Sequence, residues 1–99
     1  MIKLIALYAT PEDSAEFDRH YTVVHLPLIR QLPGLLKAET TRVTGMPIGD
    51  KRFYMLTELY FETEETMQAA LASKTGKTLA HDLTAFGGQT VTVFSGEVV

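Results

Sequence analysis

A chain of 99 residues, 45% of them apolar and 21% charged, is expected to hold one domain around one core. Twelve acidic residues against nine basic ones, with no Lys/Arg cluster, leave no electrostatic footprint for nucleic acid and favour a small-molecule or protein partner. The absence of cysteine excludes disulfides, thiolate metal ligands and a cysteine nucleophile; no apolar run approaches the ~20 residues of a membrane span, and "MIKLIALYAT" has too little apolar core for a signal peptide. The expectation is a soluble, cytoplasmic protein with no membrane partner.

The first strand is "IKLIALYAT", β-branched and aromatic, stopped by Pro11. A helix follows, capped by Asp13 or Ser14, with Phe17, Tyr21, Val24, Leu28 and Leu32 at spacings that place them on one face. Within it, "HLPLIRQLPG" sets His25 two residues ahead of Pro27. Having no N–H for the carbonyl of Val23 and pushing Leu26 out of the helical region, Pro27 should make the helix kink or restart near His25. Pro33 and Gly34 end it. "LLKAETTRVT" reads as a strand, and the turn-rich "GMPIGDKR" leads into "FYMLTELYF". There, Phe53, Met55, Leu59 and Phe61 share one face, and Tyr54, Leu56, Glu58 and Tyr60 the other. Thr63 caps a helix with Glu64 and Glu65 in its first turn, and Gly76 is expected to interrupt it. A further helical piece carries Leu79, Leu83 and Phe86, before "QTVTVFSGEVV" closes the chain as a strand.

The order βαββαβ predicts an α+β, ferredoxin-like fold: a four-stranded antiparallel sheet with both helices on one face. The other face is also apolar. Ile2 and Leu4 lie on one side of the first strand, Ile5 and Leu7 on the other, and "FYMLTELYF" is apolar or aromatic on both. Leaving each large apolar side chain wet forfeits about 1.5–3 kcal/mol, so a homodimer closed through the open sheet face is expected.

The histidines and hydroxyls carry the candidate chemistry. Carbonyls freed by Pro27 lie beside His25; one that accepts the proton of a ring nitrogen leaves the other nitrogen as base or ligand acceptor. The plainer role is a histidine capping a broken turn. On a regular helix His20 and His25 are turned about 140° apart, so a shared metal is not expected and His20 should face solvent. His81 lies off the stripe of Leu79 and Leu83, at the surface or a pocket rim. Tyr8, Tyr54 and Tyr60 sit on strands, where their hydroxyls can donate to a ligand oxygen or pack in the core. Glu58 either pairs with Arg42 across adjacent strands or faces ligand as a base. Arg30 and Arg42 are expected at the surface, with carboxylate binding as the alternative. "SKTGKT" lacks the opening glycine and the preceding strand of a phosphate loop, and no Gly-x-Ser-x-Gly elbow is present.

The segment "FDRHYTVVHLPLIRQLPGLLKAE", an aromatic and histidine helix followed by His-x-Pro-Leu and a Pro-Gly turn, resembles the EthD-like family, named for a protein tied to bacterial ethyl tert-butyl ether degradation. The rest is similar to the dimeric α/β barrels at large, a superfamily of monooxygenases, muconolactone isomerases, polyketide cyclases and haem-degrading enzymes. The resemblance implies a dimeric barrel, with a pocket between sheet and helices, and a recurrent histidine at the position of His25; it implies no single reaction. One reading is therefore a small dimeric enzyme without cofactor, of isomerase, cyclase or monooxygenase-accessory type. It would act in catabolism on a hydrophobic oxygenated molecule, with His25 as acid/base and Tyr8, Tyr54, Glu58, Tyr60, His20 and His81 as candidate ligand contacts. The alternatives are a non-catalytic binding or accessory protein, and haem binding or degradation through His81.

Overall fold

The computed structural model describes residues 1–99 with the exception of the Gln89 side chain. The strands are β1 (Ile2–Ala9), β2 (Lys37–Arg42), β3 (Phe53–Phe61) and β4 (Val91–Glu97). They form one antiparallel sheet in the order β2-β3-β1-β4. The helices are α1 (Ser14–His20), α2 (Leu26–Ile29), α3 (Glu64–Ala72) and α4 (Lys74–Gly87), with a π-helical segment, Tyr21–His25, joining α1 to α2 and a short 3-10 turn, Gly88–Thr90, before β4. The fold is the ferredoxin-like α+β arrangement expected from the pattern.

Alternation along the strands decides what the helices cover. Ile2 and Tyr8 of β1, with Met55, Thr57, Leu59 and Phe61 of β3, are buried beneath the helices. Lys3, Ile5 and Leu7 take the opposite face, where they meet Tyr60, Glu58 and Leu56 in register. The core has two parts. Ile2, Ile29, Leu59, Phe61 and Met67 belong to a largely aliphatic cluster; Tyr8, Phe17, Tyr21 and Met55 form a largely aromatic one nearer the start of α1. Between Tyr8 and Ala9 the register slips, so Tyr54 faces no partner in β1.

Caps start the helices where expected. Asp13 accepts from the Glu16 N–H at 3.0 Å and Thr63 from the Thr66 N–H at 3.1 Å. The interruption between α3 and α4 falls at Ser73, not Gly76. Ser73 is extended (ψ 165°) and its hydroxyl accepts from the Gly76 N–H at 3.0 Å, so a serine able to cap is what divides the helices. Gly76 does a different job, because a Cβ there would collide with the carbonyl oxygens of Ala70 and Leu71. Its lack of a side chain lets the first turn of α4 lie against the end of α3. The second strand is shorter than "LLKAETTRVT" suggested, with Leu36 exposed ahead of β2 and held by its N–H to the Tyr60 carbonyl at 2.9 Å.

Candidate functional site

The long helix changes its winding before Pro27. The Leu26 N–H bonds to the carbonyl of Tyr21, five residues back, and Tyr21–His25 is a π-helix where a simple kink was expected. A missing N–H at Pro27 makes a regular i→i−4 ladder incomplete there in any case, so the wider turn costs less than it would mid-helix. Its consequence is geometric. An i→i+5 repeat brings residues five apart toward the same side, and His20 and His25, turned well apart on a regular helix, meet on one target.

That target is Asp82 of α4. His20 Nε2 lies 2.8 Å from its Oδ1, and His25 Nδ1 lies 2.9 Å from its Oδ2. Both imidazoles pack on Phe86, each at 4.7 Å between ring centroids. His20 is thus not free in solvent, its side chain being 24% exposed and stacked. Asp82 had not been singled out, yet it carries a signal. It lies three residues after Leu79 and four before Phe86, a carboxylate on the packing face of an amphipathic helix.

The electrostatics follow from burial. Only 4% of the His25 side chain is exposed. Desolvation holds its imidazole below the usual 6.5 although the hydrogen bond to Asp82 pulls the other way, so it is neutral at neutral pH. Burial pushes the Asp82 carboxyl up, but hydrogen bonds from His25 and His20 outweigh it and hold the group below its usual value. A carboxylate opposite Nδ1 assigns the ring proton to that nitrogen and leaves Nε2 with its lone pair. Nε2 makes no hydrogen bond among the described residues.

His25 borders a cavity of about 160 Å³ enclosed by α4, β1 and β3. Its wall is mainly Leu4, Ile29, Leu59, Leu79 and Leu83, with three polar residues, His25, Tyr8 and Thr57. Ala80 and Val93 are lining residues exposed to solvent, which places the opening between α4 and β4. Thr57 is engaged with the Tyr21 hydroxyl at 2.6 Å, and that hydroxyl reaches Thr40 at 2.7 Å. The buried hydroxyl of Tyr8 has no hydrogen-bond partner among the described residues. Burial raises this phenol well above its ordinary value, so it keeps its proton and can only act as a neutral donor or acceptor.

The remaining candidates lie elsewhere. Tyr54, at the bulge, donates to Asp18 at 2.8 Å and takes a hydrogen bond from Arg42 at 2.5 Å, edge-on to Phe17. Arg42 pairs with Asp18 at 3.1 Å, and Glu58 with Lys3 at 2.8 Å, in place of the expected Glu58–Arg42 pair. In register Glu58 faces Glu39 of β2, which no arrangement of like charges favours, and Lys3 of β1 supplies the neutralising partner. Tyr60 lies on the open face with the ammonium groups of Lys3 and Lys37 at 5.0 and 5.3 Å from its ring. His81 and Arg30 are exposed, and His81 borders neither the cavity nor the groove beside His20.

With this geometry in view, the likenesses to known proteins are specific. The EthD domain family matches residues 9–87. An uncharacterized 11.0 kDa protein from the thcB-thcC intergenic region of Rhodococcus erythropolis is 31% identical over 93 residues, 94% of this chain and 90% of that one. The crystal structure of an EthD family protein from Bacillus halodurans C-125 is 41% identical and superimposes with a TM-score of 0.95, covering 100% of this chain and 99% of its own. SnoaB, a cofactor-independent oxygenase from Streptomyces nogalater, shares the fold at 15% identity, with a TM-score of 0.70 over 98% of this chain and 91% of its own.

Proposed function

The chain belongs to the EthD family, and from the geometry of its cavity we propose that it is a small homodimeric enzyme that moves a proton on a hydrophobic, oxygenated molecule. The observation that carries this reading is His25: buried, neutral, its Nδ1 engaged by Asp82 and its Nε2 left without a partner beside an apolar cavity. A base needs a lone pair aimed at substrate and a second group that stabilises the imidazolium as it forms. Asp82 supplies the second.

Substrate size and polarity follow from the walls. A dry cavity of roughly 150 Å³ accommodates a benzene-sized ring, so about 160 Å³ suits a molecule of one small ring or branched chain. The unpartnered Tyr8 hydroxyl supports an oxygen on that molecule, since a buried hydroxyl left unsatisfied costs free energy that a ligand oxygen recovers. Proton abstraction next to a carbonyl fits the set: Nε2 takes the proton and the C–H electron pair becomes an enolate. Return of the proton to a different carbon completes an isomerisation; in a cyclisation the enolate carbon instead bonds to a second carbonyl carbon of the same molecule and the proton goes to that carbonyl's oxygen, with nothing oxidised in either case. The likeness in fold to a cofactor-independent oxygenase supports chemistry done by side chains and substrate alone. A homodimer is supported by the open face, where Ile5, Leu7 and Leu56 lie beside Phe94, itself 47% exposed.

The test is to identify by native mass spectrometry a small molecule retained on gentle purification, then to follow it with wild type and His25→Gln. Loss of turnover with affinity kept supports the enzyme. Changed affinity with no turnover in either form shows a binding protein.

A further inference from the structure

Asp82 is shared by two histidines that belong to different spaces. His25 borders the apolar cavity between α4 and the sheet, whereas His20 borders a groove on the other side of Phe86. Each imidazole takes its own carboxylate oxygen, at 2.8 and 2.9 Å. One carboxylate balances one imidazolium, and on the cavity side no other acidic group among the described residues stands beside it. The charges facing His20 favour placing the imidazolium there. Its groove carries Glu12, Asp13 and Glu16 from the β1–α1 connection and α1, and Asp82 faces it from α4. Glu16 is shared with Arg19, paired at 2.6 Å. His25, by contrast, faces Asp82 alone among charged groups, with Tyr8, Tyr21, Phe86 and apolar side chains around it.

Resting on the reading of His25 as the cavity base, we propose that His20 is its solvent-side counterpart, a positioning residue that lets a proton taken up in the cavity be matched by one released into the groove. At the start of the proposed cycle the cluster's single imidazolium is on His20, on the side where the groove carries acidic groups, with Nε2–H on Asp82 Oδ1 and Nδ1–H toward the groove. His25 is neutral, with Nδ1–H on Asp82 Oδ2. When His25 Nε2 takes a proton from a ligand, His20 gives its Nδ1 proton to groove water and becomes neutral. One proton enters, one leaves, and both hydrogen bonds to Asp82 persist. The carboxylate stays balanced by one cation throughout, so His25 can charge inside an apolar wall without adding a net positive charge to the cluster.

The π-helix is what makes this arrangement possible, since it alone brings residues five apart onto one carboxylate. The groove side is also the more accessible to water, the His20 side chain being 24% exposed and that of His25 4%.

The experiment is an NMR pH titration of ¹⁵N-labelled imidazoles in the wild type and in His20→Gln, with folding checked by dispersion of the amide spectrum. In the wild type the His25 and His20 resonances should each show two coupled steps at common midpoints. In His20→Gln the His25 curve should become a single step displaced to higher pH, because a neighbouring cation has been removed. Independent single steps in the wild type would overturn the proposal without recourse to any variant. An unmoved His25 midpoint in a folded His20→Gln protein would overturn it too. Neither result bears on whether a ligand is bound or turned over, so this inference can fail while the enzyme reading stands. The converse case, coupled titration with no turnover of any retained molecule, defeats the enzyme reading and with it the proton exchange, and leaves only the shared titration of the two histidines.

Discussion

The two faces of this sheet are built from the same strands and have opposite economies. On the covered face, β1 and β3 present Tyr8, Met55, Thr57 and Leu59 to helices that enclose a cavity and hold a carboxylate between two histidines. On the open face the same strands present Ile5, Leu7 and Leu56 around a Lys3–Glu58 pair and Tyr60. Polar groups inside are few and each has a geometric role, while those outside neutralise one another. On the proposed reading, the period of two along a strand thus separates the surface of the proposed chemistry from the surface of the proposed association: a change on one face should leave the other nearly untouched.

That independence makes definite predictions. His25→Gln should lower turnover of an identified substrate by about 10²–10⁴-fold, the usual worth of a positioned acid/base, with the oligomeric state unchanged in analytical ultracentrifugation. Leu56→Asp should do the reverse, giving a monomer by the same measurement while the His25–Asp82 resonances keep their wild-type positions; a charge taken into an apolar interface without a partner opposes association. Gly76→Ala should cost about 1–3 kcal/mol in urea unfolding, because the added methyl meets backbone carbonyls that cannot move aside cheaply.

Acid should weaken the covered face first. His25 is held below 6.5 in the fold by burial, so below pH 6.5 the unfolded chain binds a proton that the native state resists, and stability is full above that value and falls as the pH drops through it. Asp82 acts in the same direction lower down: its stabilisation is present above 3.8 and lost as the pH falls below. Urea midpoints measured between pH 8 and 5 should thus decline, with a shallower slope in His25→Gln. The smallest effect is Tyr8→Phe, which removes an unpartnered buried hydroxyl and should leave thermal stability equal or slightly raised in calorimetry.

The architecture was legible because it depends on patterns that a short chain displays openly. β3 was bounded at Phe53–Phe61 by alternation alone, and Thr63 was recognisable as a cap. The site was legible only in its centre. His25 drew notice through Pro27, but its partner did not, because a helix that winds regularly points His20 and His25 apart and the change to a π-turn leaves no periodic trace. Asp82 was visible in principle as a charge on the packing face of α4, next to the exposed and more conspicuous His81. Glu58 illustrates the reverse difficulty. Arg42 seemed a natural cross-strand partner until register set Glu58 opposite Glu39 and Ile5, within reach of Lys3 and out of reach of Arg42.

A crystal structure of the protein soaked with phenol, a planar enol mimic of the right size, would go to the heart of the account. The ring is predicted to occupy the cavity among Leu4, Leu79 and Leu83, with its oxygen within hydrogen-bonding distance of His25 Nε2. A ring bound in the cavity with its oxygen turned away from His25, or no phenol in the cavity at all, would contradict the assignment of His25 as the group that handles the proton.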